Sequence, residues 1–469
     1  MNKKLNTFFN YLDREDLKAI IKSDLSITYK DLFEKAAQFT SDLFNSGIRK
    51  RDYVPLLIDD NLKFIETTIA LWILGTIPVP LNIKLLDEEI FSILDEYEFK
   101  FLITDRLFPL NKKNKNLKII FFDNLKSSSA KKNFTPPNLK DEAVVIFTSG
   151  ATGRPKGVVH TFLTLTNSIE NGNEILNHHE NDRWLASLPL YHIGGFQIIC
   201  RSFYYGCSII IPDSLQSNQL AEAIIKYKPT HVSLVSTQLE RLINLKIKPK
   251  ESLRVSLIGG GFINDDLMFE SEKLGWNPFR VYGSSETASF ITAIAPNEIL
   301  NRPQSAGKAL GNTEIKTSDE SEIIIKSNCL FKKYLDDEKE TESKLADGFY
   351  HTGDLGFVDE YGYLFIEARR TDLIVSGGEN VNPIEVEKVL LEFPFIKEAC
   401  VFPKPNKIWG QIVAAVIVCA DKSITEKTIK EKLKQKISGF KIPKQFTFVD
   451  ELPRTSIGKL EREKIRKMF

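Results

Sequence analysis

Apolar and polar positions along this chain alternate between two rhythms. The spacing opened by Thr28-Tyr29-Lys30-Asp31-Leu32 is helical, Asp52-Tyr53-Val54-Pro55-Leu56-Leu57 reads as a strand, and Asn61 to Leu74 is helical again. Leu117 to Phe122 predicts another strand, and Asn124 to Asp141, rich in Lys, Ser, Asn and Pro, predicts a loop. The pattern resumes with a strand over Ser208 to Ile211, a helix over Asn218 to Tyr227 and a strand over His231 to Val235. A strand from Arg254 to Ile258 then runs into Gly259-Gly260-Gly261, and a helix follows over Asp265 to Leu274. Strands alternating with helices predict an α/β architecture, with mostly parallel sheets and ligands at the strands' C-terminal ends.

The pattern changes after Arg369. Asn382 is a good N-cap, Pro383 suits the first helical position, and Glu385 and Glu387 favour the positive end of a helix dipole. A strand near Val413 to Val418 and a helix near Thr425 to Ile437 complete a small α+β unit. The expected division is a large N-terminal α/β domain over residues 1–370 and a small C-terminal domain over residues 371–469. A chain of 469 residues exceeds one ordinary core, in keeping with such a division.

Composition narrows the function by exclusion. With 63 Lys and Arg against 62 Asp and Glu, the net charge of +1 gives no reason to expect a nucleic-acid partner. The tail from Lys459 to Lys467 also carries Glu461 and Glu463, and reads as a solvated helix. The five cysteines lack CxxC spacing and lie mostly among apolar residues, so they read as reduced thiols. The six histidines show no HExxH or similar ligand spacing. No apolar segment follows Lys3 and Lys4, and the longest apolar runs are far too short for a bilayer, so a cytoplasmic protein without membrane insertion is expected. A homo-oligomer stays open.

One segment carries chemistry on its face. The strand-like run Ala143-Val144-Val145-Ile146-Phe147 feeds Thr148-Ser149-Gly150-Ala151-Thr152-Gly153-Arg154-Pro155-Lys156-Gly157. Gly150, Gly153 and Gly157 allow backbone N–H groups close to an anion, Thr148, Ser149 and Thr152 offer hydroxyl donors, and Lys156 adds a point charge. This is a phosphate-binding composition, but not the usual P-loop, because Pro155 precedes the lysine and Gly157 follows it.

The segment resembles the phosphate loop of the adenylate-forming superfamily, which includes acyl-CoA synthetases, adenylation domains and luciferases. The resemblance continues in order. Tyr282-Gly283-Ser284-Ser285-Glu286-Thr287 is similar to the family's aromatic-Gly-x-x-Glu segment, and Tyr350 to Gly356 to its ribose-binding segment. Arg369-Arg370-Thr371-Asp372 resembles the interdomain hinge, with Thr371 where many relatives carry Asp or Lys. Ser376-Gly377-Gly378-Glu379-Asn380 resembles the glycine loop, and Pro453 to Lys459 the C-terminal lysine loop.

The resemblance implies ATP, Mg²⁺ and coenzyme A as cofactors and co-substrates, and a carboxylic acid activated as its adenylate. Such chemistry needs anions held together and developing charge neutralised, not a protein nucleophile. It implies Glu286 as the Mg²⁺ ligand, which fits a cation that takes one or two carboxylates plus phosphate oxygens. Tyr282 would face the adenine, with Gly283 and Ser285 beside it, and Asp354 and Arg369 would hold the ribose and phosphate side. Gly259 and Gly260 would pass between adenine and acid, and Ser376, Gly377 and Gly378 would line the thiol channel. Lys459 would bridge the α-phosphate and the acid's carboxylate, arriving and leaving with a mobile C-terminal domain.

The acid is addressed by Leu188-Pro189-Leu190-Tyr191-His192-Ile193-Gly194-Gly195, where the resemblance sets His192 beside the reacting carboxylate. Arg201 follows in the otherwise apolar run from Phe196 to Tyr205. A buried arginine needs an anion, supplied either by an internal salt bridge or by the substrate, and the sequence leaves both open. In o-succinylbenzoate–CoA ligases, which serve menaquinone or phylloquinone synthesis, a basic residue here holds the substrate's second carboxylate. The loop wording through Pro383 and Trp409-Gly410-Gln411 lean the same way. The expected activity is therefore that of an AMP-forming o-succinylbenzoate–CoA ligase. A CoA ligase for another aryl or short aliphatic acid, or a carrier-protein-loading adenylation enzyme, are the alternatives. A non-catalytic relative is disfavoured by Lys156, Glu286, Asp354 and Lys459 occurring together.

The lysine loop yields a test. Lys459→Ala is expected to slow adenylation by about 10²–10³-fold, the scale of one lost preorganised charge stabiliser. Thioester formation from preformed acyl-adenylate should be largely spared. Rapid-quench measurement of each half-reaction checks this, and an equal loss in both would remove the alternating role.

Overall fold

The computed structural model describes residues 7–107, 116–125, 136–149, 155–261, 263, 265–369, 373–421, 423–453 and 462–469. Local signals set its element ends. Helix Tyr29–Asn45 begins where the Thr28 hydroxyl accepts the Asp31 amide at 3.1 Å. Helix Asn61–Leu74 begins where Asp60 accepts the amides of Leu62 and Lys63, and stops at Gly75, whose φ of +73° is a left-handed cap.

A long mixed sheet organises most of the chain. Its parallel half contains β1 (Lys18–Lys22), β2 (Arg183–Leu185), β3 (Ser208–Ile210), β4 (His231–Val235), β5 (Val255–Gly259) and β6 (Pro278–Ser284), side by side as β1-β3-β2-β4-β5-β6. A second sheet of Ile77–Pro80, Tyr53–Leu57, Phe101–Thr104 and Lys118–Phe121 is parallel throughout. The parallel pairing expected from the sequence holds in these two places.

Beyond β6 the long sheet turns antiparallel through β7 (Ser289–Ile294), β8 (Gly307–Ala309), β9 (Tyr350–Val358) and β10 (Tyr363–Arg369), in the order β6-β7-β8-β10-β9. The reason is loop length: residues 285–288 join β6 to β7, and so short a turn permits only an antiparallel return. Two helices bear on the site, α1 (Phe162–Leu176) and α2 (Ile193–Tyr205), the latter ended by Gly206 at φ +73°.

From residue 374 onward the strands form a separate five-stranded sheet, which starts with the hairpin of β11 (Ile374–Ser376) and β12 (Glu379–Val381). Asn382 caps the following helix and Pro383 opens it, as the sequence indicates. The helix expected to reach Ile437 ends at Leu433, and Ile437 keeps the apolar periodicity because it still faces the core. The tail forms helix Arg462–Met468, but it is not simply solvated. Ile465 is fully buried, and Arg462 pairs with Glu387 at 2.5 Å. No helix among the described residues is long and apolar enough to cross a membrane.

Three histidines are packed in the large unit as neutral rings. His160 donates from Nε2 to the Ser285 carbonyl (2.7 Å) and His231 from Nε2 to the Leu176 carbonyl (2.8 Å). His178 donates from Nδ1 to Asn173 and accepts the Trp184 indole N–H at 3.1 Å. Burial holds His160 and His231 at about 4 and His178 at about 2. In the unfolded chain each binds a proton below about pH 6.5. Folding stability is therefore expected to fall as pH drops from about 6.5 toward 4, by on the order of 1–2 kcal/mol per histidine at pH 5. Thermal unfolding between pH 7 and 5 checks this, and His178→Gln should flatten the slope by close to one proton.

Candidate functional site

At the C-terminal end of β6 the structure brings several of the expected residues together. Tyr282, nearly buried, donates its hydroxyl to Asp354 Oδ2 on β9 at 2.7 Å. Gly283 is required there, because a Cβ would lie 2.0 Å from the Ser289 carbonyl oxygen. Ser285 and Glu286 occupy the turn into β7, where the Ser285 carbonyl accepts His160. Tyr334 donates to Glu286 Oε1 at 2.9 Å, and burial together with the Glu286 charge keeps that phenol protonated.

Strands Glu142–Ser149 and Pro155–Thr161 set Thr148 directly opposite Lys156. Lys156 Nζ lies 5.4 Å from the centre of the Tyr334 ring and pairs with Glu340 at 2.5 Å. Tyr334 and Glu340 are thus members of the site that the sequence reading did not single out. Gly150, Thr152, Gly153, Thr371 and Lys459 lie outside the described residues. Ser149 and Arg369 are described by their backbone alone, Arg369 being paired in register with Asp354.

Glu286 is the residue here that could hold Mg²⁺. Among the described residues no group of three or more His, Cys, Asp or Glu side chains is arranged for a metal. A single carboxylate is enough for a cation whose other ligands are phosphate oxygens and water. Tyr334 occupies Oε1, and no described residue engages Oε2, so the donor set fits.

A second group forms where the β11–β12 hairpin meets the parallel half of the long sheet. Gly377 and Gly378 form its turn at φ +61° and +88°, and a Cβ on Gly377 would fall 2.6 Å from the Trp409 ring. Gly378 faces Val235 at the end of β4, which also faces Gly260, and Gly261 faces Val375. Ser376 is buried at the end of β11.

The next residue, Glu379, extends into the large unit. Its carboxylate accepts Lys84 Nζ (2.7 Å), Asn82 Nδ2 (3.2 Å), His192 Nε2 (3.2 Å) and the Tyr191 hydroxyl (3.4 Å). Burial alone would raise its pKa, but His192 and Lys84 outweigh burial and hold it at about 2. Asn82 and Lys84 are further residues that no local pattern marks as functional, and Glu379 is legible only as part of the glycine-loop segment.

His192 is the N-cap position of α2, and Arg201 lies on the same helix. Arg201 is 1% exposed and donates from Nη2 to the Ser289 hydroxyl at 3.2 Å. Its guanidinium carbon sits 5.0 and 5.5 Å from the ring centres of Phe290 and Trp184. No described carboxylate forms a salt bridge with it, and Nε has no described partner. Burial lowers its pKa to about 10, which leaves it cationic at neutral pH. Of the two readings the sequence leaves open, the internal salt bridge is therefore not formed among the described residues. A buried cation without a counter-ion costs several kcal/mol.

The chain is similar to known proteins along nearly its whole length. Residues 11–335 match the AMP-binding enzyme family, and residues 385–459 match the AMP-binding enzyme C-terminal domain. The chain is 33% identical over 467 residues to a 2-succinylbenzoate–CoA ligase of Bacillus licheniformis, with 96% of each chain covered. It is 34% identical to a 2-succinylbenzoate–CoA ligase of Listeria monocytogenes, with 94% of each covered. It is similar to a double mutant of o-succinylbenzoate CoA synthetase from Bacillus subtilis bound to a product analogue, at TM-score 0.92, 31% identity and 98% coverage of both chains. The same Bacillus subtilis enzyme in complex with its acyl-adenylate intermediate aligns at TM-score 0.75, again with 31% identity and 98% coverage of both chains.

Proposed function

We infer the reaction from one premise: this chain belongs to the AMP-binding enzyme family. It is an ATP-dependent acid–CoA ligase acting on o-succinylbenzoate. The acid's succinyl carboxylate attacks the α-phosphorus of ATP and pyrophosphate leaves. The CoA sulfur then attacks the acyl carbon of the mixed anhydride, AMP leaves, and o-succinylbenzoyl-CoA is formed. Neither step needs a covalent protein intermediate, in keeping with a site of hydroxyls, glycine turns, cations and one carboxylate.

The residue roles follow from their positions. Lys156 and Thr148, side by side across two strands, serve the phosphates together with Ser149, Gly150, Thr152 and Gly153. Bound Mg²⁺ supplies charge neutralisation for the phosphates, with Glu286 as its protein ligand and Tyr334 fixing that carboxylate. Asp354 and Arg369, opposite one another in register, take the ribose side, and Tyr282 takes the adenine side. Gly259 and Gly260 separate nucleotide from acid. Lys459 and the hinge at Thr371 serve the alternation of a large unit, residues 1–370, with a small mobile one, residues 371–469. The five free thiols support placing this enzyme in the cytoplasm.

The two TM-scores bear on that alternation. The aligned relative is the same enzyme at equal identity and coverage, yet it aligns at 0.92 with a product analogue and at 0.75 with the acyl-adenylate. Fold and sequence cannot account for the gap, which supports a difference in the arrangement of the two units. The higher score with the product-analogue form supports an arrangement in which Ser376, Gly377 and Gly378 line the thiol channel, with Glu379 against His192. Glu379→Gln removes the charge that Lys84 pairs with and weakens the hydrogen bonds from Lys84 and His192 to this unit. It should slow thioester formation from preformed adenylate by about tenfold, the effect of about 1.4 kcal/mol, and leave pyrophosphate release near wild type. Gly378→Leu should act the same way and more strongly. Loss of pyrophosphate release instead would place this hairpin at the nucleotide.

The observation that carries the choice of acid is Arg201, a buried cation with no described counter-ion. o-Succinylbenzoate has a second, aromatic carboxylate that must enter the pocket as an anion. Arg201→Ala should raise KM for o-succinylbenzoate steeply, with a loss of about 30- to several-thousand-fold in kcat/KM, while KM for ATP barely changes. Steady-state kinetics with each substrate varied in turn checks this. An unchanged KM for the acid in a folded protein would favour the rival aryl-acid ligase.

A further inference from the structure

The turn between β6 and β7 is held in an unusual backbone state from the side of α1 and α2. Ala288 has φ +54° and Ser289 φ +112°, values that side-chain-bearing residues rarely adopt. Two buried side chains converge on the Ala288 carbonyl. Ser168 Oγ donates to it from α1 at 2.9 Å, and Gln197 Nε2 from α2 at 2.8 Å. Within the turn, Thr287 Oγ1 accepts the Ser284 amide at 2.8 Å.

Gln197 stands four residues before Arg201, so both side chains leave the same face of α2. Gln197 grips Ala288, and Arg201 bonds the very next residue, Ser289, through Nη2. Both retain unpaired buried atoms among the described residues, Gln197 Oε1 as an acceptor and Arg201 Nε as a donor. Buried polar atoms left unpaired on one helix face mark a place where a polar ligand or its ordered water completes the bonding.

We propose that Gln197 and Ser168 are positioning residues for substrate selection: by clamping the Ala288 carbonyl they hold Ser289 in its left-handed state, so that its hydroxyl fixes the Arg201 guanidinium for the aromatic carboxylate. This rests on the assignment of Arg201 to that carboxylate. Without the clamp, Ala288 relaxes to an ordinary backbone conformation, Ser289 Oγ swings off Nη2, and Arg201 loses the bond that orients it. The cost falls on acids bearing the second carboxylate, because an acid without it makes no use of Arg201.

The readout is a ratio: kcat/KM for o-succinylbenzoate divided by kcat/KM for 4-oxo-4-phenylbutanoate, which lacks the aromatic carboxylate. General damage to folding or to the nucleotide site lowers both terms alike and leaves the ratio standing. Arg201→Ala should lower the ratio by at least about 30-fold, Gln197→Leu by about tenfold and Ser168→Ala by about threefold. A ratio lost in Arg201→Ala but kept in folded Gln197→Leu overturns the clamp and leaves the carboxylate assignment intact. A ratio kept in Arg201→Ala overturns that assignment, and the clamp with it. If Gln197→Leu does not fold, the ratio in Ser168→Ala decides by the same criterion.

Discussion

The site depends on one carboxylate that crosses between units. Glu379 belongs to the small sheet, yet the donors around it are Asn82, Lys84, Tyr191 and His192 of the large unit. A buried carboxylate is stable only where cations and donors repay its dehydration, and here they do so strongly enough to hold it at about 2. The same four contacts fix the height of the glycine turn over Val235 and tie His192, at the head of α2, to the hairpin. A single side chain thus joins the hairpin proposed for the thiol to the head of the helix that carries Arg201.

Charge is handled differently at the two ends of the site. Around the residues proposed for the nucleotide each carboxylate has a donor: Lys156 pairs with Glu340, and the neutral phenols of Tyr334 and Tyr282 donate to Glu286 and Asp354. Arg201, proposed for the acid, is left without an anion among the described residues, between Phe290 and Trp184. A matched pair tolerates an empty site. An unmatched buried cation raises the energy of the empty pocket, so an anionic substrate that relieves it gains over a neutral isostere.

Much of this was legible in the sequence where the signal is local. Helix Asn61–Leu74 has both ends where its apolar spacing places them, because its cap and stop residues adjoin it. Asn382 and Pro383 open their helix as read. Tyr282, Glu286 and Asp354 were legible as family segments, and the fold brings them to one end of β6 and its neighbours. What was not legible depends on distance in the chain. Asn82 and Lys84 lie 297 and 295 residues from Glu379, and Tyr334 and Glu340 lie in a segment with no periodic pattern. The antiparallel half of the long sheet escaped for a related reason. A run of apolar residues shows that a strand exists, but its direction is set by the connection, and four residues after β6 decide it.

The turn between β6 and β7 serves two masters. Glu286 on one side of it is the residue proposed for Mg²⁺, and Ser289, three positions on, touches Arg201, the residue proposed for the acid. Any change in its backbone is felt by both. For redesign of the acid range, the turn is therefore a poor place to edit. Helix α2 is the better one, since Gln197 and Arg201, proposed for the acid, meet the turn from its side while Glu286 is left in place. In evolutionary terms, this scaffold can change what it activates without relearning how to use ATP.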